Sequence, residues 1–292
     1  MSKKPNIAIV GPGRLGSALV PALVGAGYTI AEVISRNNTE SRRKASALAK
    51  IAGTRASNVA DARLDADLVW FCVPDREIAT AARKLLPRAS WRRKLAFHSS
   101  GALASNELDA LRQHGAAVAS VHPLMTFVAG STPSLAGVVF ALEGDVGAVR
   151  MARRMVSNLG ATPFLIQKRD KAAYHAWGAF TSPLIIALLA TAEQVARAAG
   201  VSTSEARRKM LPIVRQTIEN YARLGPAAAS SGPLVRGDTE IVSRHLEVLK
   251  KIPEAQDVYL ALARAALKYL PVGNRKKLRV ILDAQIDGKS YG

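Results

Sequence analysis

Three histidines, His98, His122 and His175, are the side chains best suited to exchange a proton near neutral pH. His98 opens the run His98-Ser99-Ser100-Gly101, His122 is followed by Pro123, and His175 follows Tyr174. Reduction of a carbonyl or an imine needs such a donor beside the hydride acceptor, and Ser100 is a further candidate. For each of the three, a structural hydrogen bond explains the residue as well as catalysis does. His114, just before Gly115, sits at an expected helix end, where the helix dipole or solvent is role enough.

A second chemical group is made of backbone. The apolar run Ile7–Val10 enters Gly11-Pro12-Gly13-Arg14-Leu15-Gly16, and a small-residue helical pattern leaves it. Gly11 permits a tight turn, Gly13 lets the backbone approach a pyrophosphate, and Gly16 brings the helix against the sheet. The helix N–H groups and positive dipole end then face the phosphates. A second strand, 28–34, ends about 20 residues beyond the motif, where dinucleotide-binding units read the ribose. No carboxylate stands there. Ser35 and Asn37 can donate to a 2′-phosphate and Arg36 can pair with it, which predicts NADP(H) rather than NAD. The run Arg42-Arg43-Lys44 either adds positive potential or is a solvated helix face.

The elements that must carry these residues alternate through the first half. Strands are expected at 7–10, 28–34, 68–73, 94–97, 116–121, 138–142 and 163–166, with helices at 76–86, 107–114 and 146–159. After residue 166 only helical spacing remains, over 171–200, 204–224, 239–251, 254–270 and 275–286, with a Gly/Pro/Ala/Ser-rich loop at 225–237. Pro183 should interrupt the longest of these near Ser182. The chain therefore reads as α/β: an N-terminal Rossmann doubly wound, mostly parallel sheet over residues 1–165, then an all-α domain over 166–292. In such a sheet ligands lie beyond the carboxyl ends of the strands, and the polar signals cluster there: Gly11–Gly16, Ser35–Asn37, Val73-Pro74-Asp75, His98–Gly101 and His122. Val73, Pro74 and Ser99 are expected beside the cofactor. Asp75 either approaches the ribose or caps the helix that follows, and the cap is favoured. His175 is expected in the cleft between the domains.

Composition narrows the function. Of 292 residues 22% are charged, and 41 Lys and Arg against 22 Asp and Glu give a formal charge of +19. The basic clusters are scattered and aromatics make up only 5%, which argues against a nucleic-acid stripe and leaves attraction of anionic ligands. The longest apolar stretch, 184–192, is short of the ~20 residues of a membrane span, and no signal-peptide pattern opens the chain, so a cytoplasmic location is expected. The single cysteine, Cys72, reads as a buried thiol, and no His/Glu/Asp set has metal-ligand spacing. The apolar Leu184–Leu189 helix face predicts a homodimer. Arg236 could clamp a substrate carboxylate or pair internally with Asp238.

These motifs resemble the Rossmann-like, DUF2520-containing family, within the 6-phosphogluconate dehydrogenase C-terminal-like group that includes pyrroline-5-carboxylate reductase. The likeness rests on Gly11–Gly16, Val73-Pro74-Asp75, His98–Gly101, His122-Pro123-Leu124, Tyr174-His175 and Ser231–Asp238 leading to His245-Leu246. It implies an NADP-dependent oxidoreductase acting on a small carbonyl, imine or hydroxy acid, and dimerisation through the helical domain. Related dehydrogenases orient substrate with Lys and Asn on the first long helix. Here Ser182-Pro183 stands where family members carry Ser-Asn, so Ser182 is the candidate substitute. A non-catalytic NADP-binding sensor or scaffold stays open beside the reductase.

Overall fold

The computed structural model describes residues 4–131 and 133–287, which form two compact units divided between Phe180 and Thr181. The first contains β1 (Ile7–Val10), α1 (Arg14–Gly25), β2 (Ile30–Ser35), α2 (Thr39–Ala52), β3 (Arg55–Asn58), β4 (Leu68–Phe71), α3 (Ile78–Leu85), β5 (Leu95–His98), α4 (Asp109–Arg112), β6 (Ala117–Pro123), β7 (Val139–Gly144), α5 (Val146–Asn158) and β8 (Thr162–Leu165). The helix α6 (Lys171–Thr181) begins in this unit.

The strands lie in the order β3-β2-β1-β4-β5-β6-β7-β8, parallel except for the β6–β7 pair. Alternation of side chains along each strand feeds two cores. Ile7, Ile9, Val33, Trp70 and Phe97 meet Leu19 and Leu23 of α1, Leu48 of α2 and Met155 of α5 on one face. Ala8, Val10, Ile34, Val69 and Phe71 meet Ile78 and Leu85 of α3 and Leu111 of α4 on the other. The sheet is wound from β1 outward in both directions, so the β1–β4 junction is its topological switch point. The strand β3 was not expected from sequence. Its residues Arg-Ala-Ser-Asn lack apolar alternation because it is a half-buried edge, paired only with β2.

The second unit comprises α7 (Pro183–Ala198), α8 (Thr203–Ala229), α9 (Pro233–Arg236), α10 (Thr239–Leu249), α11 (Pro253–Tyr269) and α12 (Arg275–Asp287). Its core joins Val242 and Leu246, Leu260 and Leu267, and Leu278 and Leu282 of the last three helices. Glu193 of α7 holds Arg207 of α8 by two bonds of 2.7 and 3.0 Å. Pro183 starts α7 after a non-helical Ser182 (φ −135°, ψ −80°), the interruption its ring demands. The loop expected at 225–237 is largely helical. Gly225 (φ 73°, ψ 173°) is not helical and breaks α8 in two, but the chain resumes a helix at once, since Pro226 suits a new first turn and three alanines follow.

Within residues 168–198 an 18-residue window reaches a mean hydropathy of 1.4, apolar enough to cross a membrane by length and composition, beyond the shorter stretch expected from sequence. The break at Ser182 divides them into helices of 11 and 16 residues, each under the ~20 a span needs.

The α1 helix can lie against β1 only because Gly16 lacks a side chain: a Cβ there would fall 2.3 Å from the Gly11 carbonyl oxygen. Gly16→Ala is expected to destabilise the protein by about 1–3 kcal/mol, as overpacking does. Urea unfolding checks this, and an unchanged midpoint would contradict the packing described.

Candidate functional site

The turn from β1 into α1 forms a backbone cradle. Gly11 adopts φ 103°, and a Cβ on it would meet the Cys72 carbonyl oxygen at 2.6 Å. Gly13, the N-cap, is exposed, and no side chain caps the first turn of α1. The leading N–H groups of a 12-residue helix are thus left for a ligand, and phosphate oxygens suit them. Arg14 projects as an exposed side chain at the helix start and Leu15 is half-buried beside it.

A cleft of about 460 Å³ runs from this cradle over the ends of β1, β2 and β4, bounded by Gly11, Gly13, Arg36, Ser41, Val73, Pro74 and Lys84. Arg36 reaches across it to Glu77 at 3.2 Å. Ser35 is buried and donates to the Ser57 carbonyl at 3.2 Å, while Asn37 accepts from Arg42. Lys44 pairs with Glu40 at 2.6 Å. A second cavity of about 210 Å³ is lined by Leu15, Cys72, Val73, Ser99, His122 and Pro123, so Cys72 and Val73 border both. Burial pushes the Cys72 thiol well up, which keeps it protonated.

The expected Asp75 cap is not formed. Its carboxylate accepts from Ser100 Oγ at 2.7 Å, and the turn after β4 has no side-chain cap. The attraction is the Ser100 hydroxyl, which also accepts from the Ala102 and Leu103 N–H groups and so ties the β5 end to the β4 end. Ser99 accepts from Trp70 Nε1 at 2.8 Å. His98 is fully buried: Nδ1 accepts from the Ser100 N–H, so Nε2 carries the proton and donates to the Ala104 carbonyl at 3.0 Å. Burial lowers its pKa to about 4.

His122 and His175 meet over Gly101. A Cβ on that glycine would fall 2.9 Å from His122 Nε2 and 2.8 Å from His175 Cδ2, so only glycine admits both rings. Burial, with the nearby Lys171 charge, lowers His122 to about pKa 3, and burial raises Tyr174 to about 12. A neutral imidazole beside a protonated phenol fixes the pair: Tyr174 OH donates to Nδ1 at 2.7 Å, and the N–H resides on Nε2. His175 is exposed.

Sequence reasoning missed Lys171. The residue is 2% exposed, its ammonium donates to the Ser100 carbonyl and to Ser120 Oγ, each at 2.7 Å, and burial lowers its pKa to about 8. The available signal was its place four residues before His175, on the same helical face. In the second unit, Ser182 is the break before α7. Arg236 is exposed, and Asp238 caps α10 through the Ile241 N–H at 3.2 Å instead of pairing with it.

Comparison with known proteins agrees with this architecture. Residues 2–123 match the sequence model of the Rossmann-like domain, and residues 138–266 match DUF2520, a domain of unknown function. No curated protein matches. Among solved structures, a Bacteroides fragilis protein described as a "putative NADP oxidoreductase" superposes with a TM-score of 0.74 at 22% identity, over 90% of this chain and 97% of that one. A Thermotoga maritima protein gives 0.71 at 22% identity, over 96% and 99%. The imine reductase of Myxococcus stipitatus in complex with NADP+ gives 0.59 at 20% identity, over 90% and 94%. At these identities the likeness is one of fold.

The two buried imidazoles set a pH dependence. Each titrates near 6.5 when unfolded but near 4 (His98) and 3 (His122) when folded. Below about pH 6.5 the unfolded chain binds protons that the folded chain refuses, so stability present above that pH falls on acidification toward 4. Urea midpoints between pH 6.5 and 4.5 should decline, and His98→Asn should remove about one proton from the slope. An identical slope in the variant would mean that His98 is not held neutral.

Proposed function

As a Rossmann-like, DUF2520-containing protein, this chain is, we propose, an NADP(H)-dependent oxidoreductase acting on a small carbonyl, imine or hydroxy acid. The observation that carries the reading is the meeting of two cavities at Cys72 and Val73. One holds the phosphate cradle, and the other holds His122. A dinucleotide laid along them would have its pyrophosphate on the α1 N-terminus and its nicotinamide toward Ser99 and His122. The fold shared with an NADP+-bound imine reductase supports the same reading. The open turn at Gly13, with no side chain in its place, fits the cofactor.

When bound, the nicotinamide supplies or accepts the hydride. The chain supplies the rest. Neutral His122 cannot act as an imidazolium near pH 7, but its Nε2–H can donate a hydrogen bond to the substrate oxygen or nitrogen as negative charge develops. Tyr174 fixes that tautomer from behind. His175, exposed on the same side of Gly101, is the group able to pass the proton. Ser100, whose hydroxyl hydrogen is given to Asp75, holds the turn in place. Arg236 and Ser182 are candidate substrate contacts, and an anionic substrate suits the +19 charge.

A homodimer is part of the same proposal. Leu184 and Ile186 of α7 and Ile213, Ile218 and Tyr221 of α8 are all 47–68% exposed, an apolar surface that a second copy would cover.

NADPH oxidation should be followed at the nicotinamide absorbance band with a panel of ketones, keto acids and cyclic imines. Activity with one class supports the reading, and His175→Gln should then lower kcat on the order of 10²–10⁴ with NADPH affinity unchanged. Binding without turnover of any substrate would favour the sensor. Light scattering at micromolar concentration should give twice the 31.0 kDa chain mass, and a monomer would refute the dimer.

A further inference from the structure

A third cavity, of about 360 Å³, lies over the ends of β2 and β3. It is lined by Ser35, Arg42, Arg55, Ser57, Asn58 and Asp61 among others. Ser35 also borders the nucleotide cleft, so the two spaces adjoin at the end of β2. Two buried polar atoms here, Arg55 Nη1 and Ser57 Oγ, have no hydrogen-bond partner. A buried donor left without an acceptor costs about 1–3 kcal/mol, and such groups in a folded protein call for a reason.

The surroundings hold these donors in place. Arg55 Nε contacts buried Glu32 at 3.3 Å, and Nη2 donates to the Asp61 carbonyl at 3.2 Å, so the guanidinium is fixed with one edge unused. Ser57 spends its carbonyl on Ser35 but not its hydroxyl. Arg42 is turned toward the β2 end by its bond to Asn37. Of the run 42–44, Lys44 is paired with Glu40 and lines the nucleotide cleft, and Arg42 alone lines this cavity. Asp61 is the carboxylate among the lining residues and Asn58 engages it, while Glu32 balances Arg55 from its Nε side and leaves the Nη1 edge unused. Arg36 is drawn to Glu77, across the nucleotide cleft.

We infer that this cavity seats a phosphoryl group, with Arg42, Arg55 Nη1 and Ser57 Oγ as its donors. The guanidinium of Arg55, fixed on two sides, the exposed guanidinium of Arg42 and a hydroxyl match the several acceptor oxygens of a phosphate. Because the cavity opens beside the β2 end, the 2′-phosphate of the dinucleotide proposed above is one source, and this version rests on that reading. Free inorganic phosphate is the other. The edge strand β3, rather than Arg36, then sets the preference between the two dinucleotides.

Calorimetry on the full chain separates these cases, with thermal melting to verify that Arg42→Ala and Ser57→Ala are folded. For the 2′-phosphate, NADPH binds at least tenfold more tightly than NADH. Each variant then narrows that ratio at least fivefold with NADH affinity unchanged, whereas Arg36→Ala weakens both dinucleotides alike. For free phosphate, inorganic phosphate binds the NADH-saturated protein and Arg42→Ala abolishes that binding. Folded variants that leave both the NADPH/NADH ratio and phosphate binding as in the parent would overturn the inference. If the parent binds neither dinucleotide, the functional reading fails, and the phosphate titration on the free protein still decides this site.

Discussion

The close approach of α1 to the end of β1 is the constraint on which the rest of the site depends. Gly16 rests on the Gly11 carbonyl, and Gly11 rests on the Cys72 carbonyl at the end of β4. These two contacts pull helix, first strand and fourth strand together at the switch point of the sheet. They also leave the first turn of α1 uncapped and facing the cleft. A favourable site for phosphate oxygens follows from that geometry, because the helix offers unpaired N–H groups and the positive end of its dipole.

A second constraint acts on the opposite side of the switch point. The buried Lys171 ammonium joins α6 to the Ser100 carbonyl and Ser120 hydroxyl. Burying this charge is costly, and those two hydrogen bonds, together with the negative charges of Asp75 and Glu143 nearby, offset part of that cost. The same tie brings Tyr174 and His175, one turn further along α6, to His122 and Gly101. Lys171 thereby sets the geometry of the histidine pair while its own charge helps to hold His122 neutral. The polar groups at the β4, β5 and β6 ends act as one network rather than as separate candidates.

Much of this was legible in the sequence, for identifiable reasons. The glycine spacing and the apolar strands announce themselves because backbone geometry and burial restrict the residues allowed there. The kink at Pro183 is similarly local. What escaped reading depended on long-range partners. Edge strand β3 carries no apolar pattern, being held by pairing to β2. Asp75 has the makings of a cap, yet Ser100, 25 positions away, takes its carboxylate. Lys171 resembles any helix-start lysine until the fold buries it. The Gly225–Gly237 segment has turn composition, but its Pro and Ala residues also suit helix starts and interiors.

The central claim is that a nicotinamide dinucleotide lies along the strand ends from the α1 turn to His122. A crystal structure of the protein with NADPH tests it most directly. The expected result places pyrophosphate oxygens within about 3 Å of the N–H groups that open α1, with the nicotinamide beside Ser99 and His122. Saturating NADPH found elsewhere on the chain, with the Gly11–Gly16 turn empty, would contradict it.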